Sequence, residues 1–356
     1  MKKILTVSVL LILSCAVVFA HPVTETKTQE NQTILFTDSC GRTVELPAKV
    51  TKVAPSGAVA TMMMACIAPE YMCNVNSTPS KTQMEYLPAV LAELPATGQL
   101  YGSKATLNYE ELIATGAQIL IDMGDYKSSI KEDLDALQAQ IGIPCIFLEA
   151  DLAHMSEAFR SLGTILADKE ERAEELAVLI DLTMILAEIN RESIPEEEKL
   201  SVMFTSGSDG LGTNAKGSSQ AQVIELVGAK NAIVVDKVSS KGGGNIVSLE
   251  QVYNADPDVI IFSPGSIYST VATDPAWKEL RAIKEGRYYE IPGDPYNWMS
   301  NPPSLNMVLG IWWLGNLLYP QYYNYDMVST AKSLYEGLWG YKLTTEQAQA
   351  LLADSK

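Results

Sequence analysis

The chain has 356 residues, of which 47% are hydrophobic and 19% charged, a composition that excludes a disordered protein and suggests about two domains. Its 26 basic and 43 acidic residues give a net charge of −17, which disfavours nucleic acid and anionic lipid as partners. With only two histidines, His21 and His154, we expect no histidine-based metal centre. We also expect no other protein-bound metal and no cofactor.

The N-terminal segment, residues 1–20, has the features of a secretory signal peptide. Two lysines stand near its start, an almost wholly apolar run follows, and small residues precede a cleavage site predicted after Ala20. The run is shorter than the ~20 residues of a spanning helix, and no other stretch could insert in a bilayer, so a multi-span transporter is excluded. An alternative is a lipoprotein anchored at Cys15, because residues 12–15 resemble a relaxed lipobox. Both alternatives predict an exported protein.

After a polar, aperiodic leader over residues 21–33, short β-rich runs alternate with helical stretches, which is typical of parallel α/β architecture. We therefore predict an α/β fold with an N-terminal lobe over 34–152, an interlobe helical spine over 153–195 and a C-terminal lobe over 196–356. The predicted strands lie at 50–54, 119–123 and 143–148 in the first lobe, and at 200–205, 232–235, 259–263 and 288–291 in the second.

The predicted spine is the most helical part of the chain. A long helix should begin near Asp168, where Glu171 completes a capping-box spacing, and end before Pro195. About 24 helical residues would span ~36 Å, so the lobes should be joined stiffly. One face of this helix should be buried, since apolar residues recur every three or four positions at Ala173, Leu176, Ala177, Ile180, Met184 and Ala187.

An internal repeat supports two lobes of similar construction. Residues 107–121 recur at 247–261, and the offset of 140 residues keeps Glu110 and Glu250 in register. In each copy a short helix leads into a buried strand, and a loop containing glycine or proline follows. The period is too long for a solenoid.

Beyond the signal segment the chain has four cysteines, Cys40, Cys66, Cys73 and Cys145. Export would permit disulfides, but four cysteines allow three pairings and the sequence does not choose among them. Cys66 and Cys73 are close enough to join a helix end to the next strand. In the alternative interpretation all four are small buried apolar side chains.

Of two enzyme signatures, one is displaced from its expected position, and the other is absent. The segment 210–215 matches a dinucleotide-binding fingerprint, but four residues separate it from the preceding strand. The G-x-S-x-G motif is absent, and His154, the one histidine beyond the leader, lies in the helical spine, so a serine hydrolase lacks a base. An exported α/β enzyme is therefore the less favoured alternative to a binding protein.

Glycine- and serine-rich loops follow several predicted strands. In open α/β sheets, ligands lie beyond the carboxyl ends of the strands, so two lobes would form a cleft between two such loop edges. The aromatic segment 295–304 has no secondary-structure period and is a second candidate, with burial against the C-terminal helices as the alternative. The predicted ligand-binding residues are Ser56, Gly57, Tyr126, Asn214, Tyr268, Tyr296 and Trp298.

The chain resembles the class III periplasmic binding proteins, the substrate-binding proteins of ABC importers for iron-siderophores, haem and cobalamin. The resemblance implies two Rossmann-like lobes bridged by one rigid helix, a ligand in the interlobe cleft, and no enzymatic activity. It covers nearly all of the mature chain and rests on FTDSCGRTVELPAKVTKVAPSG (36–57), the two repeated glutamate blocks, ADPDVIIF (255–262), DPAWKELRAIKEGRYYEIPGD (274–294) and PPSLNMVLGIWWLGNLLYP (302–320).

The resemblance also implies a monomer that docks on a permease dimer through Glu110 and Glu250, one glutamate per permease subunit. Duplicated helix capping is the alternative reason for this pair. For the cargo, we rank a siderophore- or haem-like iron complex first, a molybdate or tungstate oxyanion second, and cobalamin or another corrinoid third. The predicted loops offer few basic residues for an anionic cargo, namely Arg42, Lys104, Lys127, Lys216 and Lys241.

Overall fold

A computed structural model describes residues 32–102, 106–239 and 244–353. The predicted signal peptide, the alternative anchor Cys15, almost all of the leader, and Lys104 and Lys241 lie outside the described residues. All elements described below belong to a single unit that begins at Thr33.

The strands are β1 (Thr33–Thr37), β2 (Thr43–Pro47), β3 (Val53–Pro55), β4 (Ile119–Gly124), β5 (Cys145–Glu149), β6 (Ser201–Thr205), β7 (Gly212–Thr213), β8 (Lys230–Asn231), β9 (Asn245–Ile246), β10 (Val259–Phe262) and β11 (Tyr288–Glu290). The α-helices are α1 (Ala58–Ile67), α2 (Lys81–Met84), α3 (Tyr109–Ala114), α4 (Ile130–Ile141), α5 (Met155–Ile165), α6 (Glu170–Ser193), α7 (Gln222–Leu226), α8 (Leu249–Ala255), α9 (Arg281–Lys284), α10 (Asn306–Leu318), α11 (Met327–Trp339) and α12 (Thr345–Leu351).

The first half of the chain builds a parallel sheet in the order β3-β4-β5. Its central strand, β4, is buried at every position, as expected for a parallel sheet covered on both faces. Helices α1 and α4 pack against this sheet. The β4–β5 register pairs Gly124 with Glu149, so the two strands end together at one edge.

The second half builds a parallel sheet in the order β11-β10-β6-β8. Three of its strands lie where the sequence predicts them, but the predicted strand 232–235 is wrong: the edge strand is Lys230–Asn231. The side chain of Asn231 ends it, because its Oδ1 accepts a hydrogen bond of 3.0 Å from the Ile233 amide and turns the backbone. With both parallel sheets present, the predicted α/β class is confirmed. The residue limits given to the lobes and spine stay a prediction.

The long helix of the predicted spine is α6, whose 24 residues end just before Pro195. Its predicted buried face is confirmed except at Met184, which is half-buried. The helix starts at Glu170, close to the predicted position, but the predicted cap at Asp168 is wrong. Asp168 has a positive φ of 55°, and Lys169 stands at the N-cap without a capping side chain. The preceding helix α5 packs closely on α6 at Gly163, where an added Cβ would lie 2.7 Å from the Cβ of Ala173.

The hairpin β1–β2, which the sequence analysis did not predict, is anchored to β5 by a buried arginine. Arg42 donates hydrogen bonds to the Cys145 carbonyl at 2.8 Å and to the carboxylates of Asp38 at 3.2 Å and Asp135 at 2.8 Å. The Asp38 and Arg42 side chains are almost fully buried. Three acceptors from different parts of the lobe therefore share one guanidinium.

The four cysteines beyond the signal segment have free thiols. Cys66 and Cys145 are buried, and burial raises the pKa of each thiol to about 12, so they act as apolar packing groups. Among the described residues, no helix combines the length and apolarity needed to cross a membrane.

Replacing Arg42 with methionine should destabilise the fold by about 3–5 kcal/mol, because it leaves the buried Asp38 carboxylate without its cation. The matched control is Arg160→Met: Arg160 also binds two carboxylates, those of Glu174 and Asp181, but in partly exposed positions. This control should cost about 1 kcal/mol or less. Urea unfolding at pH 7 measures both, and equal losses would contradict the assignment.

Candidate functional site

A cavity of about 710 Å³ opens between the carboxyl-terminal edges of the two parallel sheets. The first-half sheet contributes the residues that directly follow β4 and the end of β5. Loops of the second half form the opposite wall. The lining residues are Asp125, Tyr126, Lys127, Glu149, Asp151, Gly217, Ser218, Ser219, Gln220, Gln222, Val238, Ser239 and Pro303.

Strand register explains the first wall. Gly124 ends β4 opposite Glu149, the last residue of β5, and the Gly124 carbonyl accepts a 3.0 Å hydrogen bond from the amide of Ala150. Asp125 and Asp151 leave the sheet just beyond this pair. Buried parallel strands therefore deliver three carboxylates to one side of the cavity.

The electrostatic character of the lining is acidic. Among the lining residues that the structure describes, Asp125, Glu149 and Asp151 face one cation, Lys127. Its ammonium lies 4.4 Å from the ring centroid of Tyr101 and donates to the Asp125 backbone carbonyl at 3.2 Å. Three carboxylates against one ammonium leave this described part of the lining net negative.

His154, at the start of α5, lies next to this acidic wall. Its Nδ1 is 2.7 Å from Asp151 Oδ1 and 4.0 Å from Glu149 Oε1. The hydrogen bond to Asp151 raises the pKa of the imidazole above its usual range. One side-chain ligand atom from each of the three residues lies within 4.8 Å of the other two, a set that could hold a metal ion. Asp151 also accepts a 3.0 Å bond from the His154 amide, so this carboxylate holds the residue that precedes the first turn of α5. The expected absence of a protein-bound metal stays a prediction.

Among the seven predicted ligand residues, all of which the structure describes, only Tyr126 lines the cavity. Its ring is 54% exposed and stands edge-on to Phe147. Ser56 is buried, and its hydroxyl donates to the carboxylate of Asp122. Gly57 forms the N-cap of α1.

Asn214 and Tyr268 are not among the described residues that line the cavity. Asn214 is buried and lies three residues before the cavity wall begins at Gly217. Tyr268 packs on Phe262 and Tyr288. Tyr268 is half-buried, and the expectation that Asn214 and Tyr268 contact ligand stays a prediction.

The aromatic segment 295–304 is turned toward α11 and reaches the cavity only through Pro303, among the lining residues that the structure describes. Trp298 has 0% exposure and contacts the ring of Tyr335, while Tyr296 packs on Trp339. Burial raises the pKa of the Tyr296 phenol. The alternative of burial against the C-terminal helices thus describes where these rings lie, since large aromatic side chains gain most by leaving water.

The sequence analysis missed most of the lining. Glu149 and Asp151 had a usable signal, because they stand at the end of a predicted strand, as Tyr126 does. Residues 217–222 had a weaker signal: Ser218 caps a short 3₁₀ turn, accepting from the Gln220 amide, and no predicted strand ends beside this stretch.

Glu110 and Glu250 lie outside the cavity, each in the first turn of a short helix. The helices share one construction: Asn108 and Ser248 cap them through side-chain bonds to the amides three residues on. Both glutamates are exposed, and among the described residues neither has an ion-pair partner. Because Asn108 and Ser248 supply the caps, helix capping does not explain why a glutamate occupies position 110 and position 250.

A profile described as "Periplasmic binding protein" matches residues 74–295. The Fe(3+)-citrate-binding protein YfmC of Bacillus subtilis (strain 168) is 22% identical over 198 residues, which are 55% of this chain and 60% of that protein. The chain spans about 60% of the length of the curated relatives it matches.

Solved structures match over most of the chain. An ABC transporter solute binding protein from Sulfurospirillum deleyianum DSM 6946 is 28% identical, with a TM-score of 0.82 over 90% of this chain and 99% of that one. The molybdate periplasmic binding protein MolA of Haemophilus influenzae, solved with molybdate, is 18% identical, with a TM-score of 0.70 over 88% and 99%. These likenesses confirm the predicted two-lobed α/β fold.

Asp122, the partner of Ser56, makes stability depend on pH. Burial raises its pKa from 3.8 to about 6, and its second carboxylate oxygen has no hydrogen-bond partner among the described residues. The folded state therefore binds this proton more tightly than the unfolded chain does. The stabilisation is present at low pH and is lost as pH rises through about 4 to 6.

Replacing Asp122 with asparagine, which carries no charge at any pH, should remove this loss. Between pH 4 and pH 7 the stability of the variant relative to wild type should rise by about 2–3 kcal/mol. Urea unfolding at a series of pH values measures the difference. Parallel stability curves for the two proteins would show that Asp122 does not titrate in this range.

Proposed function

Because the chain belongs to the periplasmic binding protein family, we propose that it is the substrate-binding protein of an ABC importer and delivers an iron complex, siderophore- or haem-like, to the permease. The acidic cavity between the two sheets is the observation that carries this proposal. Members of the family are binding proteins rather than enzymes. The proposal places the protein outside the cytoplasmic membrane, anchored at Cys15 or free.

The size of the cavity favours a large cargo. Sites for cofactor-sized molecules typically enclose about 300–1,000 Å³, and the cavity of about 710 Å³ falls within this range. A free tetrahedral oxyanion is far smaller and would leave most of the space to water. Backbone and side-chain contacts on both walls could reach a ligand of chelate or macrocycle size at once.

The charge and chemistry of the first wall favour iron. Three carboxylates would repel a dianion, and Lys127 is already held by Tyr101 and a carbonyl. The metal centre of a complex would be attracted instead, while its anionic groups, such as the carboxylates of citrate or haem, would face the neutral opposite wall of Ser218, Ser219 and Gln220. Glu149, Asp151 and His154 offer oxygen and nitrogen ligands of the type that iron accepts, and the name of the relative YfmC gives ferric citrate as its ligand.

A molybdate or tungstate oxyanion is the second candidate, because the opposite wall is neutral and polar. Ser218, Ser219 and Gln220 line it, and hydroxyls and amides of this kind suit an oxyanion. The structural likeness to MolA shows a shared fold but does not identify the cargo.

We expect isothermal titration of the purified mature protein to show one binding site per chain for ferric citrate or haem, without turnover. Tyr126→Ala should weaken this binding about tenfold, because it removes an exposed ring from the cavity wall. The control Tyr296→Phe, which changes a ring packed on Trp339, should leave affinity unchanged. Tighter binding of molybdate than of either iron complex would favour the oxyanion. Conversion of the ligand would support the enzyme alternative.

We further propose that Glu110 and Glu250 orient the protein on the permease dimer. The double variant Glu110→Ala, Glu250→Ala should keep its fold and its cargo affinity, since both residues are exposed and neither is among the described residues that line the cavity. It should lower uptake into vesicles containing the permease and ATPase at limiting binding-protein concentration, because exposed ion pairs set encounter rate and orientation. Normal uptake would remove these glutamates from docking.

A further inference from the structure

An exposed apolar side chain follows each of these glutamates by three residues. Ile113 on α3 is 46% exposed, and Tyr253 on α8 is 39% exposed. Residues three apart on a helix are surface neighbours, so Glu110 lies beside Ile113 and Glu250 lies beside Tyr253. The same 140-residue offset relates the two apolar side chains as relates the two glutamates.

One buried residue on each helix fixes which face of the helix points outward. Leu112 on α3 and Val252 on α8 are fully buried and hold the opposite faces against their lobes. With one face anchored in this way, the carboxylate and the apolar side chain must share the outward face. Tyr253 is also held in place there, because its hydroxyl donates to the Ala276 carbonyl at 2.9 Å.

Burial within the fold does not account for this duplicated surface. Scattered exposed apolar residues are common, but an apolar side chain repeated at the same register and beside the same charge in both lobes indicates a shared use. Among the described residues, neither glutamate has a counter-ion, so each carboxylate is available to an external cation.

We propose that Ile113 and Tyr253 are apolar anchors of the permease contact, each packing into an apolar recess next to the cation that meets its glutamate. This inference rests on the proposed importer role. A two-fold permease dimer fits the duplicated surface because each of its subunits presents the same recess and cation. The ion pairs steer the encounter, whereas the buried apolar contacts slow dissociation.

A second copy of this chain does not fit the same surface. It would bring two exposed glutamates against two others, and the net charge of −17 adds to the repulsion. The partner must therefore be cationic where it meets Glu110 and Glu250, and apolar one helical turn away.

The test measures binding of the protein, loaded with ferric citrate or haem, to the importer's permease–ATPase complex in lipid nanodiscs, over a series of salt concentrations. The double variant Ile113→Ala, Tyr253→Ala should bind about tenfold more weakly, mainly through faster dissociation, with an unchanged salt dependence. The double variant Glu110→Gln, Glu250→Gln should instead bind more slowly and lose much of the salt dependence. Cargo affinity reports whether each variant is folded.

Two control variants accompany them. Ile185→Ala removes an aliphatic side chain that is 51% exposed on α6, outside the docking surface, and should bind normally. Tyr253→Phe keeps the ring but loses the bond to Ala276, and should also bind normally. An equal loss with Ile185→Ala would overturn the anchor assignment.

The remaining outcomes separate the two proposals. If the apolar double variant binds like wild type while the glutamate variant loses its salt dependence, the anchors are wrong and glutamate docking stands. If neither variant changes binding, this surface is not the permease contact, and glutamate docking fails together with the anchors.

Discussion

Parallel strand pairing is the constraint on which the rest of the molecule depends. A parallel sheet must be entered from the same end by every strand, so the residues that follow its strands gather at one edge. In this protein β4 and β10 are buried at every position and fix the two sheets. The cavity lies where their two carboxyl-terminal edges approach each other. Its acidic wall follows from the β4–β5 register rather than from any local motif.

The aromatic segment 295–304 shows how packing can override an apparent binding motif. The rings of Tyr296 and Trp298 pack against α11, and the backbone of the segment lies close to α10. At Gly310 a Cβ would collide with the Trp298 carbonyl, so the helix needs a glycine where the segment crosses it. The segment thus packs against α10 and α11, and within it only Pro303 lines the cavity.

Periodicity and repetition in the sequence predicted the sheets, α6 and the paired helices α3 and α8, because burial of one face is a local pattern. The position of Tyr126 beside the cavity followed from its place after a strand. Burial of Trp298 did not, since an aromatic residue on a loop has the same local sequence whether it faces a partner helix or a cleft. The edge strand at Asn231 was also missed, because one side-chain hydrogen bond ends it.

The two walls of the cavity differ in how readily their residues can be substituted. Asp125 and Glu149 are fixed by strand register, so moving either would require a shift of a buried sheet. Residues 217–222 belong to a turn and a short helix, and substitutions at the half-buried positions Ser219, Gln220 and Gln222 leave the hydrogen bonds of both sheets intact. Divergence in cargo within this architecture can therefore proceed through one wall while the other is preserved. New specificities can arise by exchanging a few loop residues, because these exchanges do not lower the stability of the two sheets.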